Sequence, residues 1–242
     1  LARRAADEAV RADATSAEAM TALGMALVAA DENGNNKRAA GEAFAKAVFM
    51  DKLDATNHYY YGFGLRFYAS QQKVPATRNA EVQRAVPSLE EAIRLRPQYF
   101  AAHRELAYCY HLLGKRAEAM KSYEMAVACR GTATDADDLA GADVALAALH
   151  QEEANNSTGE KKKAHEEAAQ GHTAEARENS SDNLKTALSA LGAVGLGSNL
   201  LSINSYLPAE AQQALSVINN PAGALKDKIR EKIPFGGFGL PF

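Results

Sequence analysis

The sequence predicts an all-α fold: a solenoid of about three to four helical hairpins, followed by an apolar C-terminal tail of helical and extended pieces. Three observations carry the prediction. Small and aromatic residues recur at helical spacing through the first half, the prolines fall mostly where a helix could end, and alanine is abundant while tryptophan is absent. At 242 residues, 47% hydrophobic and 24% charged, the chain is long enough for one or two domains or one elongated array, and too apolar for wholesale disorder.

Taken in order, Leu1–Val10 reads as a running helix in which Ala2, Ala6 and Ala9 share a face, the second half of a truncated unit over 1–16. Acids lie among its arginines and it has no apolar h-region, so it is no secretory signal, and a start of this kind predicts a processed terminus or a missing upstream part. A first full unit, about 17–54, opens on Leu23-Gly24-x2-Leu27 and continues through Ala40, Phe44 and Ala47, with a polar insert at Glu32–Asn36. The next, about 55–99, opens on Tyr61-Gly62-x2-Leu65 and continues through Ala85, Leu89 and Ala92, ending at Leu95-Arg96-Pro97. A longer insert, about Gln71 to Asn79, separates its halves, and Pro87 predicts that its second helix is kinked or starts late. The clearest unit, 100–133, places Leu106-Ala107 before Tyr110, breaks at Gly114, and resumes with Ala119, Tyr123 and Ala126. Two further helices, Thr134–Asn155 and the charged, alanine-rich Lys161–Glu178, form a degenerate unit or polar cap that completes a first domain, 1–179.

Stepping back by 34 from Ala119, Tyr123 and Ala126 lands on Ala85, Leu89 and Ala92, a register that resembles the tetratricopeptide repeat (TPR), W-x2-L-G-x2-Y then A-x3-F then a closing proline. The resemblance covers 1–131, with Met20, His58 and His103 standing where the repeat has tryptophan. It implies that the first helix of each unit lines a concave groove for partner segments. Carried over residue by residue, Tyr59, Phe63, Arg66 and Phe67 face that groove from the middle unit, joined by Arg104, Tyr108 and His111 from the next. Aromatic and arginine side chains are the usual anchors of an interface. Repeats that clamp a C-terminal carboxylate use lysine and asparagine; here those places hold Thr21, Met25, Ala101 and Glu105, which disfavours that ligand class.

The second domain, 180–242, is an apolar, glycine-rich extension with short helices over Pro208–Ile218 and Ala222–Ile233. Thr186 to Ala209 carries no charge, but its glycines and polar residues favour a packed helix and an extended piece over a membrane span. The closing KIPFGGFGLPF sets out Ile233, Phe235, Phe238, Leu240 and Phe242 as an assembly tail, since so bare an apolar segment needs somewhere to dock.

No catalytic constellation stands out. Nucleotide-binding and nucleophile-elbow motifs are lacking, His165-Glu166 has no second histidine four residues on, and His165 with His172 lacks an evident third ligand, so all six histidines read as surface residues. Cys109 and Cys129 lie in no metal or haem pattern and read as buried thiols, with a disulfide left open for an oxidising compartment. A net charge of −3 and a pI near 6.1 give no field for nucleic acid.

The expectation is a non-catalytic scaffold without cofactor or metal, its partners other proteins or copies of itself, with homo-oligomers favoured. One alternative is a structural subunit whose tail docks on the next copy, building a ring or filament. Another is an envelope-associated assembly factor whose segment 184–207 touches lipid. A processed start slightly favours the bacterial envelope or the exterior over the cytoplasm.

Overall fold

The computed structural model describes residues 16–31, 35–70, 72, 74–133 and 136–179. The truncated unit, apart from Ser16, and the whole extension 180–242 lie outside the described residues, with the assembly tail and the segment 184–207. Every α-helix among the described residues pairs with its neighbour into a hairpin. The chain divides into two compact units between Pro97 and Gln98, at the junction of the repeats expected at 55–99 and 100–133.

Unit one holds α1 (Ala17–Ala29), α2 (Lys37–Met50), α3 (Ala55–Ser70) and α4 (Pro75–Leu95). Ser16 caps α1 by accepting the Ala19 amide at 3.1 Å. The polar insert after α1 is pinned at both ends. Asp31, 2% exposed, accepts the amides of Asn35 (3.0 Å) and Asn36 (2.9 Å), and Asn36 Nδ2 donates back to the Leu27 carbonyl at 3.1 Å. Asp54 Oδ1 accepts the Thr56 amide at 2.8 Å and so starts α3.

Three glycines allow the helices to approach. A Cβ at Gly24 would lie 2.4 Å from Phe44 Cε1, and one at Gly64 2.7 Å from Phe44 Cε2. The Phe44 ring, wholly buried, is therefore clamped between the backbones of α1 and α3. A Cβ at Gly62 would meet Leu89 Cγ of α4 at 2.6 Å. The alanine and aromatic spacing of the sequence is thus a pattern of close crossings, and the large side chain of each second helix fills the groove that glycine leaves in a first helix.

Asn57 of α3 latches the two hairpins together. It accepts the Thr21 hydroxyl of α1 at 2.9 Å and donates to the carbonyls of Ala47 (3.4 Å) and Asp51 (3.3 Å) at the end of α2. The residue is 2% exposed, so Asn57→Ala would strand buried polar groups on both sides. We expect a loss of about 1–3 kcal/mol in urea unfolding, whereas a substitution at exposed Lys46 should leave the midpoint in place.

Helix α4 departs from expectation. It begins at Pro75, inside the stretch expected as an insert, and runs unbroken through Pro87 to Leu95. The physical reason is the buried row Val82, Ala85, Leu89 and Ala92, which faces α3 and draws the residues ahead of Pro87 into the helix. Proline is tolerated at Pro75 because the first turn needs no amide donor there.

Unit two holds α5 (Phe100–Leu112), α6 (Arg116–Ala128), a 3-10 turn (Arg130–Thr132), α7 (Ala136–Asn155) and α8 (Gly159–Asn179). Gly114 ends the α5 hairpin helix with φ of 72°, a left-handed turn that glycine adopts without strain. Phe100, Ala107, Ala119, Tyr123, Ala126, Leu139, Ala142, Leu146 and Leu149 form one core across α5, α6 and α7. Thr132 ties the start of α5 to the end of α6, accepting the Phe100 amide at 3.1 Å and donating to the Cys129 carbonyl at 2.9 Å. Helix α8 brings almost no bulk to its partner: the residues it buries fully are Ala169 and Ala176.

Candidate functional site

The aromatic residues singled out on α3 form a continuous ladder. Tyr59, Phe63 and Phe67 sit one turn apart with ring centroids 6.3 and 6.0 Å from each other, and Tyr68 closes the ladder edge-on against Phe67 at 5.0 Å. The Arg66 guanidinium lies 5.2 Å from the Phe63 ring. These side chains do not form an open aromatic surface. Tyr59 is 6% exposed, Phe67 2%, and Phe63 and Arg66 are wholly buried. The reason is that α3 is enclosed on several sides: Gly62 meets Leu89 and Gly64, about 200° further round the helix, meets Phe44, so the ladder runs between two packed faces.

In unit two the three expected groove residues have different fates. Arg104 is mostly buried and pairs with Asp138 of α7 at 2.6 Å and with the buried Glu105 at 3.4 Å, its guanidinium 5.9 Å from the Phe100 ring. Tyr108 is buried, and His111 stands exposed at the end of α5. Arg104 is thus held in an ion pair that fastens α5 to α7, which the groove reading did not foresee.

Sequence reasoning passed over the most exposed apolar corner. Phe49 (76% exposed), Met50 and Leu53 (77%) project from the end of α2 and the turn after it. The signal was present in FMDKL: Phe49 stands two residues beyond Ala47, outside the buried Ala40, Phe44, Ala47 row, so a helix that buries the row must expose it. Lys52 lies 5.6 Å from the Phe49 ring, and the rest of that ring faces water.

One further expectation changes, for the histidines, and the cysteines stand as expected. His103 is a buried residue, and His150 of α7 lies against both His165 and His172 of α8, so these four histidines are not independent surface groups. Cys109 and Cys129 are both buried and carry no disulfide. Burial pushes the Cys129 thiol up, away from the reactive thiolate. Among the described residues no helix is long and apolar enough to cross a membrane.

Paired helices, small residues at the crossings and, in three of the described hairpins, one large second-helix residue (Phe44, Leu89, Tyr123) filling the gap define the class: this is a tetratricopeptide-repeat fold. No protein-family model matches the chain, and no curated protein matches it. Among solved structures it is similar to a thermophilic TPR protein of Thermus thermophilus, at 19% identity and a TM-score of 0.59, over 80% of this chain and 88% of that one. It is also similar to MamA, at 20% identity and a TM-score of 0.51, over 73% of this chain and 85% of that one. At such identities the likeness is one of fold.

Proposed function

We propose that the chain is a non-catalytic scaffold that holds other protein surfaces. The observation that carries this reading is the corner of Phe49, Met50 and Leu53, large apolar side chains left in water beside a helical-hairpin repeat. Leaving such side chains exposed forgoes about 1.5–3 kcal/mol each that burial would return, and a partner surface supplies that burial. Of the aromatic and arginine residues expected in the groove, Tyr59, Phe63, Arg66, Phe67, Arg104 and Tyr108 are enclosed and would support a partner site from behind, while His111 is the one that a partner segment could touch directly. The corner favours a second form of the same role, in which Ile233, Phe235, Phe238, Leu240 and Phe242 of one copy cover the corner of another and build a homo-oligomer.

Light scattering on a sizing column separates the two. If copies assemble, the full chain is larger than a monomer, and both the Phe49→Ser/Leu53→Ser variant and the Phe235→Ser/Phe238→Ser/Phe242→Ser variant return it to monomer. A monomer in all three leaves a foreign partner. A photo-crosslinking residue at position 49 in the source cells must then yield a discrete adduct; labelling no stronger than from a control position at exposed Lys121 would sink the interaction reading.

A further inference from the structure

The α7–α8 hairpin is closed by imidazoles where other hairpins use large apolar side chains. Asp143 and His150 stand two turns apart on one face of α7, and His165 and His172 do the same on α8. The antiparallel packing brings Asp143 to His172 and His150 to His165. His172 Nδ1 lies 2.9 Å from Asp143 Oδ1, and Asp143 is wholly buried with its Oδ2 left without a hydrogen-bond partner. His150 Nδ1 lies 3.0 Å from His165 Nδ1. The His172 ring stacks on His150, centroids 5.7 Å apart and planes within 9°.

The His150–His165 contact is a hydrogen bond between rings that meet head to head. Their centroids are 5.3 Å apart, farther than the two nitrogens by about two ring radii, so both Nδ1 atoms lie on the line joining the rings. One proton fits on that line, given by one nitrogen and accepted by the other. A metal ion with bonds of about 2.0 Å to each nitrogen would need the rings to back away or turn, and no group of three or more ligating residues is arranged around an ion among the described residues.

We propose that His150 and His165 form the acid-sensitive half of a clasp that holds α8 on α7, a half that opens as both rings gain protons, while a proton on His172 only strengthens its contact with Asp143. The bridge survives a first added proton, which enters on the far nitrogen of the donor ring. A second must enter on the accepting Nδ1, and it sets two N–H donors against each other and two cations side by side. The groups facing His150 are His165 and His172 from α8, Glu153 from its own helix and Glu124 from α6. Burial holds the His150 imidazole below the ordinary histidine range, helped by His172 and His165 and opposed by Glu124 and Glu153. The sign follows: the folded chain binds protons less readily than the unfolded one, so this stability is present above the ordinary histidine value of about 6.5 and is lost as the pH falls through it. Helix α8 is the element released because Ala169 and Ala176 are the residues it fully buries, and alanine returns little on burial.

Hydrogen–deuterium exchange on the full chain tests this at about pH 7.5 and about pH 5.5, on either side of the histidine range. After correction for intrinsic exchange, protection across Gly159–Asn179 should fall on acidification, by up to about tenfold for one histidine, while α3 keeps its own. Protection of α8 that does not change, or that falls together with α3, overturns the clasp. In His165→Gln, where the amide still donates and accepts but does not titrate, α8 should lose less protection on acidification than in the native chain, the remainder coming from the burial of His150. Loss on acidification as steep as in the native chain would overturn the assignment. A proton NMR titration of the native chain gives an independent reading, because a His150 midpoint at or above the ordinary histidine value of about 6.5 contradicts the proposal even if the variant fails to fold.

Discussion

Phe44→Ala should cost about 3–5 kcal/mol in urea unfolding, at the upper end of what one deleted side chain does. The ring is wholly buried, and the two surfaces that clamp it are backbone at Gly24 and Gly64. Neither glycine has a side chain that could swing into the space, so the void collapses poorly. Tyr60, stacked on Phe44 at 6.3 Å and within 8°, would lose its neighbour as well. The reciprocal change argues the same point from the other side: Gly24→Ala drives a Cβ into the ring and should cost about 1–3 kcal/mol. If the clamp is real, Gly24→Ala combined with Phe44→Leu costs less than the two singly, since the smaller side chain makes room for the methyl. Strict additivity would show that the ring and the glycine do not constrain one another.

Pro87→Ala should have the opposite sign. A proline inside a helix costs about 3 kcal/mol relative to alanine, because it removes an amide donor and crowds the carbonyl four residues back. That carbonyl belongs to Gln83, on the exposed side of α4. Alanine also gives the unfolded chain more freedom, which offsets about 1 kcal/mol of the gain. The net expectation is a stabilisation of about 2 kcal/mol, read as a higher unfolding midpoint with helix content unchanged. A destabilised variant would mean that the proline serves the packing of α4 in some way its exposure does not reveal.

These two positions also mark what the sequence discloses and what it conceals. The row of Ala40, Phe44 and Ala47 was legible because small and large residues at helical spacing admit few packings, and Gly24 and Gly64 fit the same register. Pro87 left a late start or a kink open, and the buried row on both sides of it removes the late start by drawing the residues ahead of it into the helix. The ladder on α3 was legible as aromatic but not as enclosed. Periodicity marks an inner face only when the other face is polar, and α3 has no such face. The histidine clasp could not be read at all from spacing within one helix. Each helix contributes only a pair two turns apart, and what joins the pairs is the antiparallel register set by the turn near Gly159, which has φ of 61°.

The pinned insert of unit one has a use in protein engineering. Asp31 accepts the amides of Asn35 and Asn36, and Asn36 donates back to the end of α1, so these bonds tie the end of α1 to the start of α2. Closing a longer loop between two such fixed points costs only about 0.6 kcal/mol for each doubling of its length. A short flexible epitope inserted between these two tied ends is therefore expected to leave the register of α1 and α2 undisturbed, read as an unchanged unfolding midpoint.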